Sequence, residues 1–337
     1  MTVKIYQDYS KIANYEACPR SYFIQHILKL TTSSTAADFG KLMHKILSSW
    51  YHKGDMQLCF KLIDEWQDKP EDEMHTRAKA RTLLGNYLTR FAVEPWQKVI
   101  ANEVPVECKL EIPEAFAYFM QEELIPKGTL TPPMSIDGIE MPEFYLIGKV
   151  DLVVEWGSYL YGCDWKTTSQ LGSKYFMQFK PGLQMWGYTF ALQQLFGDKV
   201  QGMLVRAISK AKTASPDPDA KTKMFDSQLI GWLPSEIKRY PESMIPKMYA
   251  CWRAETAIIG TGLENYPEDI SYQTRAIHFL NRPGNREAID FHFPPREISC
   301  SDYGSCKFRD LCLSNLHPEE LSKLQPNNWD PREVSEE

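Results

Sequence analysis

The sequence predicts an α/β or α+β domain in which a mixed β-sheet is combined with a helical insertion. Three observations support this. Apolar residues recur at helical spacing over 36–53 and again over 56–94. From about residue 98 the pattern changes to alternation rich in β-branched residues, which is typical of a strand. Two more alternating runs flank Gly157-Ser158, and a helix and a further strand follow them, an order typical of a sheet flanked by helices.

The remaining elements complete this organisation. We predict helices over 8–30, about 181–196 and 234–258, a strand over 202–210, and a loop containing Pro126, Pro132, Pro133 and Pro142. The expected arrangement is a single domain over 1–337, with a helical part at about 8–95, a core at about 98–210, C-terminal helices and a cysteine segment at about 230–315, and a polar, poorly ordered tail at 316–337.

Composition narrows the class of protein. The 337 residues are 43% hydrophobic, enough for a large core, and the net charge of -6 means that any nucleic-acid surface must be local. No apolar run reaches the roughly 18 residues that cross a membrane, and the N-terminus lacks a secretory pattern. An intracellular, cytoplasmic location is therefore expected, where the 8 cysteines are thiols or ligands before they are disulfides.

A hairpin brings charged residues together. Gly at the first central position suits a two-residue turn at Gly157-Ser158. Pairing outward from that turn places Asp151 directly opposite Asp164, and Lys166 points to the same face two residues later. Two facing carboxylates repel each other unless a cation compensates them, and hard oxygen ligands favour Mg²⁺ or Mn²⁺. The alternative is that both aspartates lie on a solvent face, or that the register slips by one residue.

The spacing of these residues carries a resemblance. Gly148-x-x-Asp151, twelve residues, then Asp164-Trp165-Lys166 resembles the catalytic core of PD-(D/E)XK nucleases in the RecB-like branch, although Val150 replaces the proline of the name. The resemblance extends over about residues 10 to 312, and includes CRISPR-associated RecB-like exonucleases and AddB-type nuclease domains. It implies a restriction-endonuclease-like core with a mixed central sheet, flanked by an N-terminal helical segment and a C-terminal iron–sulfur segment.

Other pieces fall in the order that this family shows. Gly40-x-x-x-His44 resembles the element whose histidine ligates the metal, Gln184-x-x-x-Tyr188 resembles the motif after the catalytic lysine, and Glu103 resembles an upstream strand glutamate that Glu107 could replace. By themselves, His44 would read as a packed core residue, and Gln184 with Tyr188 as an incidental helix face.

The resemblance assigns roles to these residues. The metal would be held by His44, Asp151, Asp164 and the Trp165 carbonyl, would activate water and would neutralise phosphate charge. Lys166 would orient the attacking water and stabilise the transition state. Cations proposed to hold the strand backbone are Lys174, Lys180, Arg206, Lys210 and Lys212, with an ordinary solvated surface as the alternative.

The cysteines divide into two groups. Cys300, Cys306 and Cys312 close the folded region, and Cys18 stands before Pro19, as in the family members that hold an iron–sulfur cluster, although many of those have a tighter first spacing than Cys300-x5-Cys306. Four thiolates suit a 4Fe–4S cluster, with zinc or free thiols as alternatives. The other four read as small core residues, namely Cys59, Cys108, Cys163 and Cys251.

The resulting hypothesis is a metal-dependent DNA nuclease, an exonuclease acting on DNA ends or single strands in recombination, repair or phage DNA processing. A phage-encoded chain would act in the host cytoplasm. The alternatives are a non-catalytic DNA-binding subunit of a helicase-nuclease complex and a zinc-stapled RNA-processing protein. The chain has no G-x-x-x-x-G-K-[ST] run, so a helicase, if needed, would be a separate partner.

Overall fold

The structure, a computed structural model, describes residues 3–32, 34–124, 141–172, 174–259, 270–296, 300 and 306–327. The chain divides into two compact units, each assembled from separate segments. The first unit comprises Met1–Ser33, Lys109–Leu146 and Pro241–Pro331, and the second comprises Ser34–Cys108, Ile147–Tyr240 and Arg332–Glu337.

Helices and strands are interspersed along the chain. The helices are α1 (Tyr9–Ala17), α2 (Pro19–Tyr22), a π-helical turn (Phe23–Ile27), α3 (Thr35–Lys53), α4 (Met56–Glu65), α5 (Arg77–Arg90), α6 (Glu114–Leu124), a 3₁₀ turn (Phe176–Gln178), α7 (Leu183–Phe196), α8 (Pro234–Lys238), α9 (Tyr240–Ile259), α10 (Tyr272–Leu280), α11 (Asn285–His292), α12 (Arg309–Leu313) and α13 (Pro318–Leu321). The strands are β1 (Lys4–Gln7), β2 (Leu30–Thr31), β3 (Lys98–Leu110), β4 (Glu143–Trp156), β5 (Tyr159–Thr168), β6 (Val200–Ser209), β7 (Phe225–Gly231) and β8 (Gln325–Pro326). Among the described residues, no helix is both long and apolar enough to cross a membrane.

The second unit is built on a mixed sheet. β4 pairs with β3 and is antiparallel to β5, β5 is parallel to β6, and β6 is antiparallel to β7. The parallel β5–β6 pair is joined through α7, as a parallel connection requires a crossover. Apolar side chains of α3, α4 and α5 pack with those of the sheet into one core, which includes Phe39, Ile46, Leu84, Leu152, Trp165 and Leu204. The predicted α/β class with a mixed sheet flanked by helices is confirmed.

The first unit is mainly helical. β1 runs parallel to the beginning of β4, with Lys4 opposite Glu143, and β2 is antiparallel to β8. Its core joins the N-terminal segment to the C-terminal helices and includes Tyr22, Phe23, Ile258, Phe279, Phe293 and Leu311. Residues from both ends of the chain therefore share one buried core.

The predicted helix over 8–30 is divided. Asp8 caps α1 by accepting a hydrogen bond from the Lys11 N–H at 3.0 Å, and the helix ends before Cys18, whose backbone is extended at φ -158°. Pro19 explains the break, since a proline disfavours helical backbone at the residue before it and starts a new helix at its own position. The helix after it continues as a π-helical turn from Phe23.

Other boundaries also differ from the sequence expectations. The stretch over 56–94 forms two helices, because Thr76 caps a new one by accepting from the Lys79 N–H at 3.2 Å. The strands β1 and β7 and the helix α6 were not predicted. Of the predicted proline loop, Pro126, Pro132 and Pro133 lie outside the described residues.

The prediction of a poorly ordered tail from residue 316 is wrong for the described part, 316–327. Leu316, Leu321 and Leu324 are buried in the core of the first unit. The Leu324 carbonyl accepts a hydrogen bond from Gln273 at 2.9 Å. Single leucines spaced among polar residues do not show helical periodicity, so the sequence pattern gave no sign of this packing.

We therefore expect Leu321→Ala to lower the free energy of unfolding by about 2–5 kcal/mol, the usual effect of removing a buried leucine side chain. Urea denaturation of the purified protein measures it. Leu313→Ala is the matched control, since Leu313 is 76% exposed and its loss should change stability by less than about 0.5 kcal/mol. Equal effects of the two substitutions would contradict the packing of this segment.

Candidate active site

The β4–β5 turn sets the register on which the site depends. Gly157 has φ +65°, a conformation that glycine adopts without strain, and Ser158 does not share it. The antiparallel ladder runs from Trp156 opposite Tyr159 to Leu152 opposite Cys163. This is the register that the sequence predicted, and the next positions along the two strands are Asp151 and Asp164.

The two strands open where the aspartates begin. Beyond Leu152 and Cys163, the Trp165 N–H donates to Asp151 Oδ2 at 2.8 Å, so a carboxylate takes the place of a strand carbonyl. β5 meanwhile stays paired with β6, where Trp165 lies opposite Arg206. The Asp151 carboxylate is thus held against the β5 backbone at Trp165, immediately after Asp164.

His44 and Lys166 complete the cluster. His44 Nδ1 lies 3.2 Å from Asp151 Oδ1, and Lys166 Nζ donates to Asp164 Oδ1 at 3.1 Å and lies 2.9 Å from its Oδ2. Asp151 and Asp164 are 6% and 4% exposed, so they would be costly to bury without these partners. The structure thus brings together the imidazole, both carboxylates and the ammonium group that the sequence singled out.

The pKa values of Asp151 and Asp164 are shifted in opposite directions. Burial raises the pKa of Asp164 above its usual value, with Asp151 adding to the effect and Lys166 opposing it. Burial acts in the same direction on Asp151, but His44, the Trp165 N–H and Lys166 outweigh it and lower the pKa of Asp151. The two aspartates in turn raise the pKa of His44 against the effect of its burial. The pair therefore ionises fully only with positive charge close by.

Two glycines allow the elements around this cluster to approach closely. A Cβ at Gly40 would lie 2.9 Å from Thr167 Oγ1, so α3 contacts β5 one residue beyond Lys166. His44 follows Gly40 by about one helical turn and is carried to the carboxylates by that contact. A Cβ at Gly148 would lie 3.0 Å from Tyr188 Cε1, which places the tyrosine ring against β4 three residues before Asp151.

Gln184 and Tyr188 share one face of α7, as predicted. The Gln184 amide donates to the Tyr188 hydroxyl over a long 3.4 Å. Since Tyr188 lies against Gly148, this face of α7 is directed to the part of β4 that precedes Asp151. The proposed contact of both residues with substrate stays a prediction.

Glu103 occupies an unusual position in β3. Its φ of +52° is rare for a residue with a side chain and interrupts the alternation of the strand. Its carboxylate forms an ion pair with Lys149, two residues before Asp151 on β4. Glu107, the alternative candidate, is exposed. It points to the opposite face of β3 from its buried neighbours Val106 and Cys108.

The prediction that Arg206 contacts DNA does not match its position. Arg206 is 2% exposed, its Nη1 donates to Tyr87 at 2.8 Å, to Glu94 at 2.9 Å and to Tyr51 at 3.1 Å, and its Nη2 also pairs with Glu94. The Trp165 indole donates to the same Tyr87 hydroxyl at 3.0 Å. Arg206 therefore belongs to a buried network behind Trp165, which the sequence pattern does not predict. The buried Trp165 was the available signal, since an indole N–H in a core needs an acceptor.

The other cations also differ from one another. Lys210 is 7% exposed and donates to the Ala36 carbonyl at 2.9 Å, so it too is internal and not a surface contact for DNA. Lys180 donates to the Gly231 carbonyl, and Lys212 pairs with Glu73 at 2.9 Å. Lys174 is exposed. Three of the five proposed cations are exposed, and their contact with nucleic acid stays a prediction.

The acidic cluster has the donors that a hard divalent cation prefers. It offers two buried carboxylates and an imidazole, and Asp164 Oδ2 is buried with an ion pair to Lys166 but accepts no hydrogen bond. As the side chains stand, no group of three or more His, Cys, Asp or Glu residues in the described part of the chain is arranged to hold a metal ion. Asp151 is turned instead to His44 and the Trp165 N–H, so the fit lies in the chemistry of the donors.

The four cysteines predicted to form a cluster lie near one another in the first unit. Burial raises the pKa of Cys312 to about 11, and Cys18, Cys306 and Cys300 are close enough to add to the shift. The Cys306 N–H contacts the Cys300 carbonyl at 3.4 Å. Residues 297–299 and 301–305 lie outside the described part. Within that part, these thiols are not arranged as a group that could hold a metal ion. The remaining cysteines are buried as predicted, namely Cys59, Cys108, Cys163 and Cys251.

Comparison with known proteins identifies the class. The chain matches the PD-(D/E)XK nuclease superfamily over residues 9–313. It belongs to this superfamily, whose members are phosphodiester hydrolases that typically use Mg²⁺ or Mn²⁺.

Individual similarities are weaker. A crystal structure titled "Putative exonuclease" from Eubacterium rectale is 12% identical, with a TM-score of 0.41 over 74% of this chain and 82% of that one. The crystal structure of SSO0001 is 8% identical, with a TM-score of 0.27 over 75% and 96%. No curated protein matches the chain.

The close approach at Gly40 generates a prediction. We expect Gly40→Ala to reduce nuclease turnover, because the added methyl group pushes α3 and His44 away from Thr167. The matched control is Gly85→Ala in α5, where nothing lies within 4 Å of the added carbon and stability should rise by about 0.5–1 kcal/mol. Cleavage rates and thermal unfolding of both variants measure the difference.

A second substitution sharpens this test. The double variant Gly40→Ala with Thr167→Ala removes the opposing hydroxyl and should recover part of the lost turnover. Full activity of Gly40→Ala alone would contradict the role of the contact in positioning His44.

Proposed function

We propose that this chain is a metal-dependent deoxyribonuclease of the RecB-like branch, acting as an exonuclease on DNA ends or single strands. Recombination, repair and phage DNA processing are the settings that such an activity fits. The observation that carries the proposal is the pair of buried aspartates, Asp151 and Asp164, held between His44 and Lys166 at the open end of the hairpin.

Hydrolysis of a phosphodiester at neutral pH needs an activated water and neutralisation of charge on the phosphate. A divalent cation held by His44, Asp151 and Asp164, with the Trp165 carbonyl, would supply both. The pKa of Asp151 is lowered, which favours its ionised form, whereas burial raises the pKa of Asp164 and a cation beside it would oppose that shift. The chemistry of these donors supports a divalent cation at this cluster.

Lys166 has a separate task in this proposal. Its ammonium group lies on the same strand face as Asp164 and contacts both carboxylate oxygens. An ammonium group beside the metal ligands can orient the attacking water and stabilise negative charge that develops on the phosphate. Partial burial strengthens that interaction, because fewer water molecules screen it.

The alternative of a DNA-binding subunit without activity is less well supported. Such a subunit does not require an imidazole, two acids and an ammonium group in one cluster, yet this chain keeps all four together. The RNA-processing alternative differs in substrate, so digestion of end-labelled DNA and RNA of the same sequence decides between them. A helicase or recombination protein is proposed as a separate partner.

We expect Lys166→Ala to abolish most cleavage of end-labelled single- and double-stranded DNA with Mg²⁺ or Mn²⁺. Its melting temperature should stay near that of the unchanged protein, because Lys166 is assigned to turnover. Lys199→Ala is the matched control, an exposed lysine just before β6, and should cleave normally. Near-normal cleavage by Lys166→Ala would reject the assignment, and a large loss of melting temperature would make Lys166 a structural residue.

We further propose that Cys18, Cys300, Cys306 and Cys312 hold a 4Fe–4S cluster. Four thiolates suit iron–sulfur ligation, and the proximity of these thiols in the first unit supports it. The cluster is assigned to architecture, and DNA cleavage to the oxygen-ligated metal. Zinc held by the same thiols is the competing assignment.

Protein purified without air should be brown and contain iron. Cys18→Ser should lose the visible absorption and melt at a lower temperature, since a crosslink between distant segments is removed. Cys251→Ser, which changes a buried cysteine of the same unit, should keep the absorption. One zinc atom per chain with no iron, in protein never exposed to oxygen, would favour the zinc assignment.

A further inference from the structure

The connection from β5 to α7 is anchored at the active site by both of its ends. It leaves β5 after Thr168, two residues beyond Lys166, and enters α7 at Leu183, immediately before Gln184. The connection therefore begins and ends next to residues of the active site. Its described part includes residues 174–182.

Residues 174–180, Lys-Tyr-Phe-Met-Gln-Phe-Lys, form a packed segment of this connection, called the rim below. Phe176 is buried and begins a 3₁₀ turn, and the Gln178 amide donates to the Tyr175 carbonyl at 2.8 Å. Lys180 is fixed at the far end by the Gly231 carbonyl and lies 5.6 Å above the Trp232 ring. The rim is thus held by contacts at both of its ends.

Tyr175 is the aromatic residue whose position these contacts define. Its ring meets Phe176 and Phe179 edge to face, with centroids 5.4 Å apart in both pairs. Such packing fixes the orientation of a ring at little entropic cost when a ligand binds. Tyr175 is only partly buried, and Lys174 and Met177 beside it are exposed.

The Tyr175 phenol lies within electrostatic range of Asp164. Burial, together with the negative charge of Asp164, raises the pKa of Tyr175 to about 12, so the phenol stays neutral at physiological pH. Among the described residues no side chain hydrogen-bonds to its hydroxyl. A neutral aromatic ring beside the acidic cluster is suited to a nucleobase, which would meet no repulsion from it.

On the basis of the proposed nuclease function, we propose that Tyr175 is a substrate-binding residue whose ring stacks on an unpaired base next to the scissile phosphate. The exposed Lys174 would lie near the phosphate backbone of the same strand. Stacking on one ring needs a free base face, which a duplex interior does not offer. The substrate class assigned is therefore a single-stranded nucleic acid, bound with little dependence on base sequence.

The test is binding of fluorescein-labelled oligothymidylate, with Ca²⁺ in place of Mg²⁺ to limit cleavage of the probe. Tyr175→Ala should weaken binding by about 5- to 150-fold, the range expected for one base–aromatic stack. Tyr175→Phe should bind within about twofold of the unchanged protein, because the ring remains. Tyr159→Ala is the matched control, since Tyr159 is 50% exposed at the opposite end of β5.

A second variant guards against a local folding defect. Tyr175→Leu keeps apolar contact with Phe176 and Phe179 but removes the flat ring, and should lose as much affinity as Tyr175→Ala. An oligothymidylate with one abasic position near the cleaved bond should bind the unchanged protein less tightly, whereas Tyr175→Ala should not distinguish it from the intact probe.

Three binding results would overturn the inference. The first is unchanged affinity of Tyr175→Ala for the probe, and the second is an equal loss of affinity in Tyr175→Phe and Tyr175→Ala, which would assign the effect to the hydroxyl. The third is an equal loss of affinity for duplex and single-stranded probes. Cleavage by the unchanged protein with Mn²⁺ tests the proposed function separately. Cleavage that Tyr175→Ala retains in full rejects the inference alone, and Tyr175-dependent binding without any cleavage rejects the nuclease proposal alone. If the unchanged protein neither binds nor cleaves the DNA, both the inference and the nuclease proposal are rejected.

Discussion

The opening of the β4–β5 hairpin at Asp151 is the feature on which the active site depends. Regular pairing up to Leu152 and Cys163 fixes the register, and the loss of pairing beyond it frees the Trp165 N–H for the Asp151 carboxylate. A slip of one residue would move one aspartate to the other face of the sheet and separate the acids. The turn at Gly157 therefore determines the positions of the two aspartates, because it sets the register of the strands that carry them.

A buried network stabilises the strand that carries this chemistry. Arg206 lies opposite Trp165 in the parallel β5–β6 pair, and both side chains meet at the Tyr87 hydroxyl. Glu94 compensates the Arg206 charge, so removing either partner would leave a buried charge unpaired, a loss of about 3–5 kcal/mol. The network lies behind Trp165, the residue between Asp164 and Lys166, and so anchors the strand that carries those two groups.

Local rules recovered the part of the site that depends on periodicity. A two-residue turn and strict alternation were enough to place Asp151 opposite Asp164, because a strand has only two faces. The burial of Arg206 and Lys210 could not be predicted in this way, because their partners, Glu94 and the Ala36 carbonyl, are more than a hundred positions away in sequence. Charged residues in a strand look alike in sequence whether a distant partner buries them or water solvates them.

The same limit applied to the connection after β5. Its aromatic and basic residues show no period, so the sequence alone suggested only that Lys174 and Lys180 were cations near DNA. Their contacts in the folded chain distinguish them, since Lys180 donates a hydrogen bond to the Gly231 carbonyl whereas Lys174 is exposed. The position of Tyr175 follows from packing against Phe176 and Phe179, which no pattern in the sequence specifies.

The first unit joins the two ends of the chain by contacts that need no metal. β8 pairs with β2, Asn327 donates to the Gln25 carbonyl at 3.0 Å, and the buried Arg20 donates to the Phe293 carbonyl at 2.8 Å. These contacts join the N-terminal segment that carries Cys18 to the C-terminal segment that carries Cys306 and Cys312, so packing alone can bring these thiols near one another. A cluster would then act mainly on the unfolded chain, where a crosslink over so long a loop removes about 4–5 kcal/mol of entropy. Its loss would lower stability while leaving the contacts that define the native arrangement.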